Sequence, residues 1–233
     1  MQLNKTRHRT IIFQILKNIY QDTEMAPVLG LKGGTAASLF YELPRFSVDL
    51  DFDLLDESKE NLVFDRMVRI AKKYGVIKDE YKKRFNLFCA LSYEAESHKI
   101  KLEVNRRRDS SKFELKQYLG VPMLVMTKED MFANKLMAMY NRIQRTSRDI
   151  YDVWYFLDKR WALNEKLIEE KMAMPIVGFW EACLTELEKF DNALILNGLG
   201  ELLDESQKDW VKAKLKEELI FLLRLRVDLA RRK

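Results

Sequence analysis

The segment from Leu31 to Leu55 constrains what this chain can fold into more than any other part of it. Its sequence, LKGGTAASLFYELPRFSVDLDFDLL, combines a double glycine with a later stretch that carries carboxylates on alternate residues. Gly33 and Gly34 would let backbone N–H groups approach a phosphate at the start of a helix, where the helix dipole favours negative charge. The segment therefore predicts a phosphate-binding turn, a short helix and then a strand.

The alternate carboxylates lie in the sequence SVDLDFDL, which predicts a strand with one apolar face. Asp49 and Asp51 would point to the same side of it, roughly 6–7 Å apart along the strand. That spacing suits two oxygen ligands converging on Mg²⁺. The alternative is a solvated face, on which Ser47 and the aspartates simply point to water. Because neighbouring aspartates repel each other and a cation relieves that repulsion, we favour the metal site, with Asp53 as the aspartate expected to be merely solvated.

A further carboxylate follows in HKIKLEVNRRR, where Ile100, Leu102 and Val104 predict a strand with one buried face. Glu103 would lie on the opposite face. It is a candidate for completing the metal site or for accepting a proton from an attacking hydroxyl. The alternative is an edge-strand charge paired with a neighbouring cation.

A second group of charges lies in KLMAMYNRIQRTSRDIYDVWYFL. Lys135 and Arg142 are seven residues apart and share one face of a predicted helix. Asp149 and Asp152 are three apart at the start of the next helix, with Ser147 as its expected N-cap. That helix is otherwise strongly apolar, which indicates that its charges are buried and paired or functional.

The order of patterns predicts two parts of different structure. Alternating or apolar segments at residues 27–31, 47–55, 85–93, 99–105 and 121–126 predict strands, whereas only helical patterns follow residue 127. We therefore expect an α+β fold, with a mixed sheet and flanking helices at residues 1–126 and a helical bundle at residues 127–233.

Composition and short motifs argue against a membrane protein and against a P-loop protein. No apolar run reaches the ~18–20 residues that a membrane span needs, so no membrane partner is expected. Cys89 and Cys183 are far apart in apolar contexts, which favours buried thiols in a reducing, cytoplasmic compartment. The net charge of +5 is compatible with a polyanionic partner. A P-loop is excluded because no Lys-Ser/Thr pair follows the glycines.

Taken together, these motifs resemble the AbiEii/AbiGii toxin nucleotidyltransferases of the DNA polymerase β-like nucleotidyltransferase superfamily. The resemblance is carried, in this order, by LKGGTAASL, RFSVDLDFDL, IKLEVN, KLMAMYNR and RDIYDVWYFL, within residues 27–157. It implies an enzyme that uses one or two Mg²⁺ ions to transfer a nucleotide from an NTP to an acceptor. It also implies a bacterial toxin–antitoxin or abortive-infection system with a cognate antitoxin, and the acceptor in some relatives is tRNA.

The resemblance also assigns roles to residues of this chain. Gly33, Gly34 and Thr35 would hold the triphosphate, while Asp49, Asp51 and Glu103 would bind metal. Lys135 would contact phosphate, and Asp149 would be the acidic residue of the second domain that activity needs. Ser47 matches a position that is modified in some relatives.

Other functions stay open at this stage. The same fold could serve as a non-catalytic nucleotide- or RNA-binding module, or could modify a small molecule such as an antibiotic. The complete carboxylate set favours the enzyme, and a basic cleft would favour RNA. The arginines that could guide RNA are Arg106–Arg108 and the tail cations Arg224, Arg226, Arg231, Arg232 and Lys233.

Overall fold

The chain is described here from a computed structural model, which covers residues 4–94, 99–107 and 110–232. It forms two compact units, Met1–Thr127 and Lys128–Lys233. The first unit contains a sheet and the helices α1 (Lys5–Gln21), α2 (Gly33–Phe40) and α3 (Glu60–Lys72). Its strands are β1 (Leu29–Lys32), β2 (Leu50–Leu54), β3 (Val76–Lys82), β4 (Asn86–Ser92), β5 (Ile100–Asn105), β6 (Phe113–Tyr118) and β7 (Val121–Met126).

The seven strands form one mixed sheet in the order β3-β4-β5-β2-β1-β7-β6. β2 runs parallel to β5, and β1 runs parallel to β7, while the other neighbours are antiparallel. The strands predicted at residues 85–93, 99–105 and 121–126 are thus confirmed as β4, β5 and β7. The predicted strand at residues 47–55 is shorter than expected, because β2 begins only at Leu50.

The core of the first unit lies on the apolar side of the central strands. Leu50 and Phe52 of β2, and Leu102 and Val104 of β5, are at most 1% exposed. Helices α1 and α3 contact each other, and they contact β7 and β4 respectively. Since side chains alternate along a strand, Asp51 and Glu103 project from the opposite side of the sheet. This places the polar residues of the two central strands together.

The second unit is helical throughout its described residues. Its α-helices are α4 (Lys128–Arg142), α5 (Arg148–Asp158), α6 (Glu165–Met172), α7 (Ile176–Lys189), α8 (Glu205–Trp210) and α9 (Lys216–Arg231), with a π-helical turn at Val211–Leu215. Its core is aromatic: the ring of Phe156 stacks on that of Trp161 with centroids 4.0 Å apart. The mixed sheet and the helical second unit confirm the predicted α+β class. In the described part of the chain, no helix is both long and apolar enough to cross a membrane.

Candidate active site

The glycine turn joins β1 to α2 and contacts the central strand directly. Gly33 has a φ of +76°, a conformation that favours glycine. A Cβ atom on Gly33 would lie 2.3 Å from Oδ2 of Asp51, and one on Gly34 would lie 2.9 Å from Oγ of Ser47. Gly33 is therefore favoured as glycine by its backbone conformation, and the turn lies against the side chains of Asp51 and Ser47.

Two further side chains fix this turn. Oγ1 of Thr35 donates a 2.5 Å hydrogen bond to the carbonyl of Asp49, which ties α2 to the residue before β2. The guanidinium of Arg45 is buried against Gly34, and it donates to the carbonyl of Phe46 at 3.0 Å. Thr35 is 3% exposed, and its hydroxyl is used in this internal hydrogen bond. The buried Arg45 adds positive charge where an anion would bind.

The predicted carboxylates come from adjacent strands. Asp51 on β2 is in register with Glu103 on β5 and with Lys32 on β1. Glu103 accepts a 2.5 Å hydrogen bond from Nδ2 of Asn86. Asp49 lies one residue before β2, and its Oδ1 accepts from the backbone N–H of Lys101 at 3.3 Å. The sheet therefore gathers Asp51 and Glu103 in one row, with Asp49 at the entrance to the strand.

The predicted metal ligands are Asp49, Asp51 and Glu103. Over residues 4–94, 99–107 and 110–232, no three His, Cys, Asp or Glu side chains form a group that could hold a metal ion. The carboxylates of Asp49 and Asp51 still suit a hard cation, and the backbone of Gly33 approaches Oδ2 of Asp51 so closely that a Cβ there would lie 2.3 Å from it. Oε1 of Glu103 accepts its hydrogen bond from Asn86, and the role of Glu103 as a metal ligand stays a prediction.

The expectation that Asp53 is merely solvated is wrong. Asp53 is 2% exposed, and its Oδ1 accepts from Nζ of Lys32 at 2.5 Å and from Nδ2 of Asn105 at 2.7 Å. Its Oδ2 is buried without a hydrogen-bond partner among the described residues. The side chains that cover Asp53 come from β1 and β5, so its burial depends on strand pairing and not on its own segment.

In the second unit, two buried aspartates surround one lysine. Nζ of Lys135 lies 3.0 Å from Oδ1 of Asp149 and 2.6 Å from Oδ2 of Asp152. Nε of Arg142 lies 2.6 Å from the other oxygen of Asp149. Both aspartates are at most 1% exposed. The predicted charges on α4 and α5 are therefore paired, with both aspartates buried and Arg142 exposed, and the pairs join these two helices to each other.

Electrostatics keeps Asp149 ionised. Burial alone would raise the pKa of its carboxyl, but the charges and hydrogen bonds of Lys135 and Arg142 outweigh that effect and hold the pKa well below its usual range.

The prediction that Ser147 is the N-cap of α5 is correct for its position but not for its side chain. Ser147 occupies the N-cap position of α5, but its hydroxyl donates to the carbonyl of Leu194 at 3.0 Å and makes no cap hydrogen bond.

Some of the basic residues that were predicted to guide RNA are already engaged in ion pairs, whereas Arg107 is exposed. The guanidinium of Arg106 forms an ion pair with Glu60 and donates to the carbonyl of Lys83 at 2.9 Å, whereas Arg107 is exposed. In the tail, Arg224 and Arg231 form ion pairs with Glu188 and Glu181. Arg108 and Lys233 lie outside the described residues.

Several residues of this site were missed by sequence reasoning. They are the buried or interstrand partners of the predicted groups: Lys32, Arg45, Asn86 and Asn105. The sequence could have indicated Asn86 and Asn105 as site residues in one respect, because each lies at an end of a predicted strand. A small recess also adjoins the turn, with a volume of about 20 Å³, lined by Arg9, Ile12, Thr35, Ser38, Leu39, Phe46 and Ser47.

Comparisons with known proteins give a family for the chain and solved structures with a similar fold. Residues 14–221 match the family described as nucleotidyl transferase AbiEii toxin, type IV TA system. JHP933 from Helicobacter pylori has a similar fold, with a TM-score of 0.63 and 20% identity over 100% of this chain and 96% of that chain. A candidate nucleotidyltransferase from H. pylori gives a TM-score of 0.64 and 19% identity over 100% of this chain and 98% of that chain. The search of curated proteins gave no match.

Proposed function

Because the chain belongs to the AbiEii nucleotidyl transferase toxin family of type IV toxin–antitoxin systems, we propose that it transfers a nucleotide from an NTP to an RNA acceptor with the help of a divalent metal ion. Family membership makes the chain a nucleotidyltransferase and implies an NTP substrate and a cognate antitoxin. The RNA acceptor, with tRNA as the first candidate, and the dependence on Mg²⁺ are our proposals.

One observation carries the assignment of the site: the glycine turn lies directly against the carboxylate of Asp51. Backbone N–H groups at the start of α2 suit the phosphates of an NTP, and the carboxylate of Asp51 would suit a divalent cation bound with them. The buried Arg45 behind Gly34 adds to the attraction for an anion. A phosphate-binding turn and a metal-binding carboxylate in contact are what nucleotide transfer requires.

We assign the metal ion to Asp49 and Asp51. When bound there, it would neutralise charge on the phosphates and assist departure of pyrophosphate. Gly33, Gly34 and the backbone N–H of Thr35 would orient the triphosphate, and Ser47 would border it from beside Gly34. In the second unit, we assign Lys135 as a contact to phosphate. Asp149 and Asp152 would orient its ammonium group.

The chemical step forms a bond between the acceptor hydroxyl oxygen and the α-phosphorus, and it breaks the bond from that phosphorus to the oxygen bridging to the β-phosphate. The hydroxyl proton needs an acceptor, and Glu103 suits this task better than Asp149. Asp149 is a weak base because its pKa is lowered by Lys135 and Arg142. Glu103 is fixed by Asn86 in the row next to Asp51.

The test is incubation of the purified protein with each α-labelled NTP, Mg²⁺ and total tRNA. We expect one or more NTPs to label RNA. Asp51→Asn should abolish labelling, while Asp65→Asn, which makes the same change on the exposed face of α3, should not. A fully active Asp51→Asn variant would contradict the site. Labelling of a small molecule in place of RNA would contradict the acceptor class.

A further inference from the structure

The turn between β3 and β4 presents an exposed phenylalanine between two arginines. Phe85 is 42% exposed. The guanidinium carbons of Arg107 and Arg84 lie 4.8 Å and 5.1 Å from the centroid of its ring. Lys83 precedes them, with Nζ 4.2 Å from the centroid of the Tyr81 ring. Lys83, Arg84, Phe85 and Arg107 together are termed the Phe85 platform, which combines an aromatic ring with three cations.

Backbone hydrogen bonds hold this platform in a defined position. The N–H of Lys83 donates to the carbonyl of Asn86 at 2.8 Å, and the N–H of Asn86 donates back at 3.3 Å. The N–H of Arg106 donates to the carbonyl of Phe85 at 2.8 Å, and its side chain donates to the carbonyl of Lys83 at 2.9 Å. The turn is thus anchored to the residue after β5. An exposed ring held in this way is pre-organised for contact with a partner.

The platform adjoins the residue assigned as the proton acceptor. Phe85 is followed by Asn86, whose side-chain amide donates to Oε1 of Glu103 at 2.5 Å. Arg107 follows β5 by two residues, and β5 carries Glu103. The side chain of Asn86 therefore connects the platform to Glu103, which lies in register with Asp51. The ring of Phe85 thus belongs to the residue next in sequence to the one that holds Glu103.

We propose that the Phe85 platform binds an unpaired nucleotide of the acceptor RNA and so delivers a single-stranded segment or end to Glu103. This inference rests on the proposed function and specifies the form of RNA that the site accepts. Bases of single-stranded RNA stack on aromatic rings and guanidinium planes, whereas paired bases present no free face. Lys83, Arg84 and Arg107 provide positive charge for the flanking phosphates. Arg106 contributes no free charge because Glu60 neutralises it.

The test measures binding of a fluorescent single-stranded RNA to the full chain by anisotropy, at several salt concentrations. Phe85→Ala should weaken binding about tenfold or more with an unchanged salt dependence, and Phe85→Trp should bind as the wild type does. The double variant Arg84→Ala/Arg107→Ala should flatten the log–log salt slope by about 0.7 for each phosphate that is no longer neutralised. Leu115→Ala is the matched control, since Leu115 is 71% exposed on β6 at the other edge of the sheet.

Binding of NTP alone separates the two sources of a nucleobase. We expect Phe85→Ala to bind each NTP as the wild type does. Weakened NTP binding with unchanged RNA binding would assign the ring to the NTP base and overturn the proposal. If the wild type binds and labels RNA but Phe85→Ala equals it in both, the platform is wrong while the proposed function stands. If the wild type neither binds nor labels RNA, the acceptor class itself is wrong.

Discussion

The contact between Gly33 and Asp51 gives the sharpest prediction at the scale of single residues. Gly33→Ala should abolish transfer, since the added Cβ would lie 2.3 Å from Oδ2 of Asp51 and would push the carboxylate away. Gly120→Ala is the matched control: Gly120 also has a positive φ, +80°, but no atom of the described residues lies within 4 Å of the position that a Cβ would occupy. Both variants should lose about 1 kcal/mol of stability from backbone strain.

Thermal unfolding and the α-label transfer assay distinguish these effects. Equal loss of activity in Gly33→Ala and Gly120→Ala would mean that strain, and not displacement of Asp51, is responsible.

Asp53 gives a second prediction at the residue scale. Lys32→Met would leave the buried carboxylate of Asp53 without its counter-ion, which should cost about 3–5 kcal/mol of unfolding free energy. The double variant Lys32→Met/Asp53→Leu removes both charges and should recover most of that loss. Urea unfolding compares the wild type, the single variants Lys32→Met and Asp53→Leu, and the double variant. If the losses of the two single changes simply add in the double variant, Lys32 and Asp53 are not coupled.

These residues also show how far a sequence can predict a site. Local pattern was enough to identify the glycine turn and the alternate carboxylates, because both depend on neighbouring residues. The burial of Asp53 could not be predicted, since Lys32 and Asn105 come from other strands and reach it only through the pairing of β1 and β5 with β2. The same reason hid Arg45, whose buried position depends on the path of the chain back to Gly34.

At the scale of elements, the ion pairs between α4 and α5 should stabilise the second unit. Asp149→Asn should destabilise the protein by about 3–5 kcal/mol, because it removes the buried carboxylate that pairs with both the largely buried Lys135 and the exposed Arg142. Asp158→Asn removes an exposed charge from the same helix and should cost at most about 1 kcal/mol. Chemical denaturation monitored by tryptophan fluorescence measures both.

The pH dependence of this effect has a defined sign. The folded-state pKa of Asp149 is lowered, so its stabilising contribution is complete above the ordinary aspartate pKa of ~3.9 and is lost as the pH falls towards the folded-state value. The stability difference between the wild type and Asp149→Asn should therefore be constant at neutral pH and shrink below about pH 4. A difference that shrinks between pH 6 and 8 would contradict this assignment.

The two edge strands were the elements that sequence patterns missed. β3 (VIKDEYK) and β6 (FELKQY) carry several charges and lack a clear alternation of buried and exposed residues. Edge strands are often charged because their open side must not pair with other chains, so their sequences resemble loops. The central strands β2 and β5 are covered on their apolar face and show the alternation that reveals a strand.

For the whole molecule, the proposed metal dependence predicts the effect of chelation. Removal of divalent ions with EDTA should stop nucleotide transfer, and Mg²⁺ or Mn²⁺ should restore it. The far-UV circular dichroism spectrum should not change on chelation. In the described residues the fold rests on the paired strands and on an apolar core, and neither depends on a metal ion. Full transfer activity in EDTA would contradict the metal assignment while leaving the family assignment intact.

The central claim is that the chain moves the nucleotide part of an NTP, and paired labels test it most directly. The purified protein would be incubated with Mg²⁺ and RNA together with the same NTP, labelled either at the α-phosphate or at the γ-phosphate. The account predicts that the α label enters RNA and that the γ label is released as pyrophosphate. Entry of the γ label into RNA, without the α label, would show phosphoryl transfer and contradict the account.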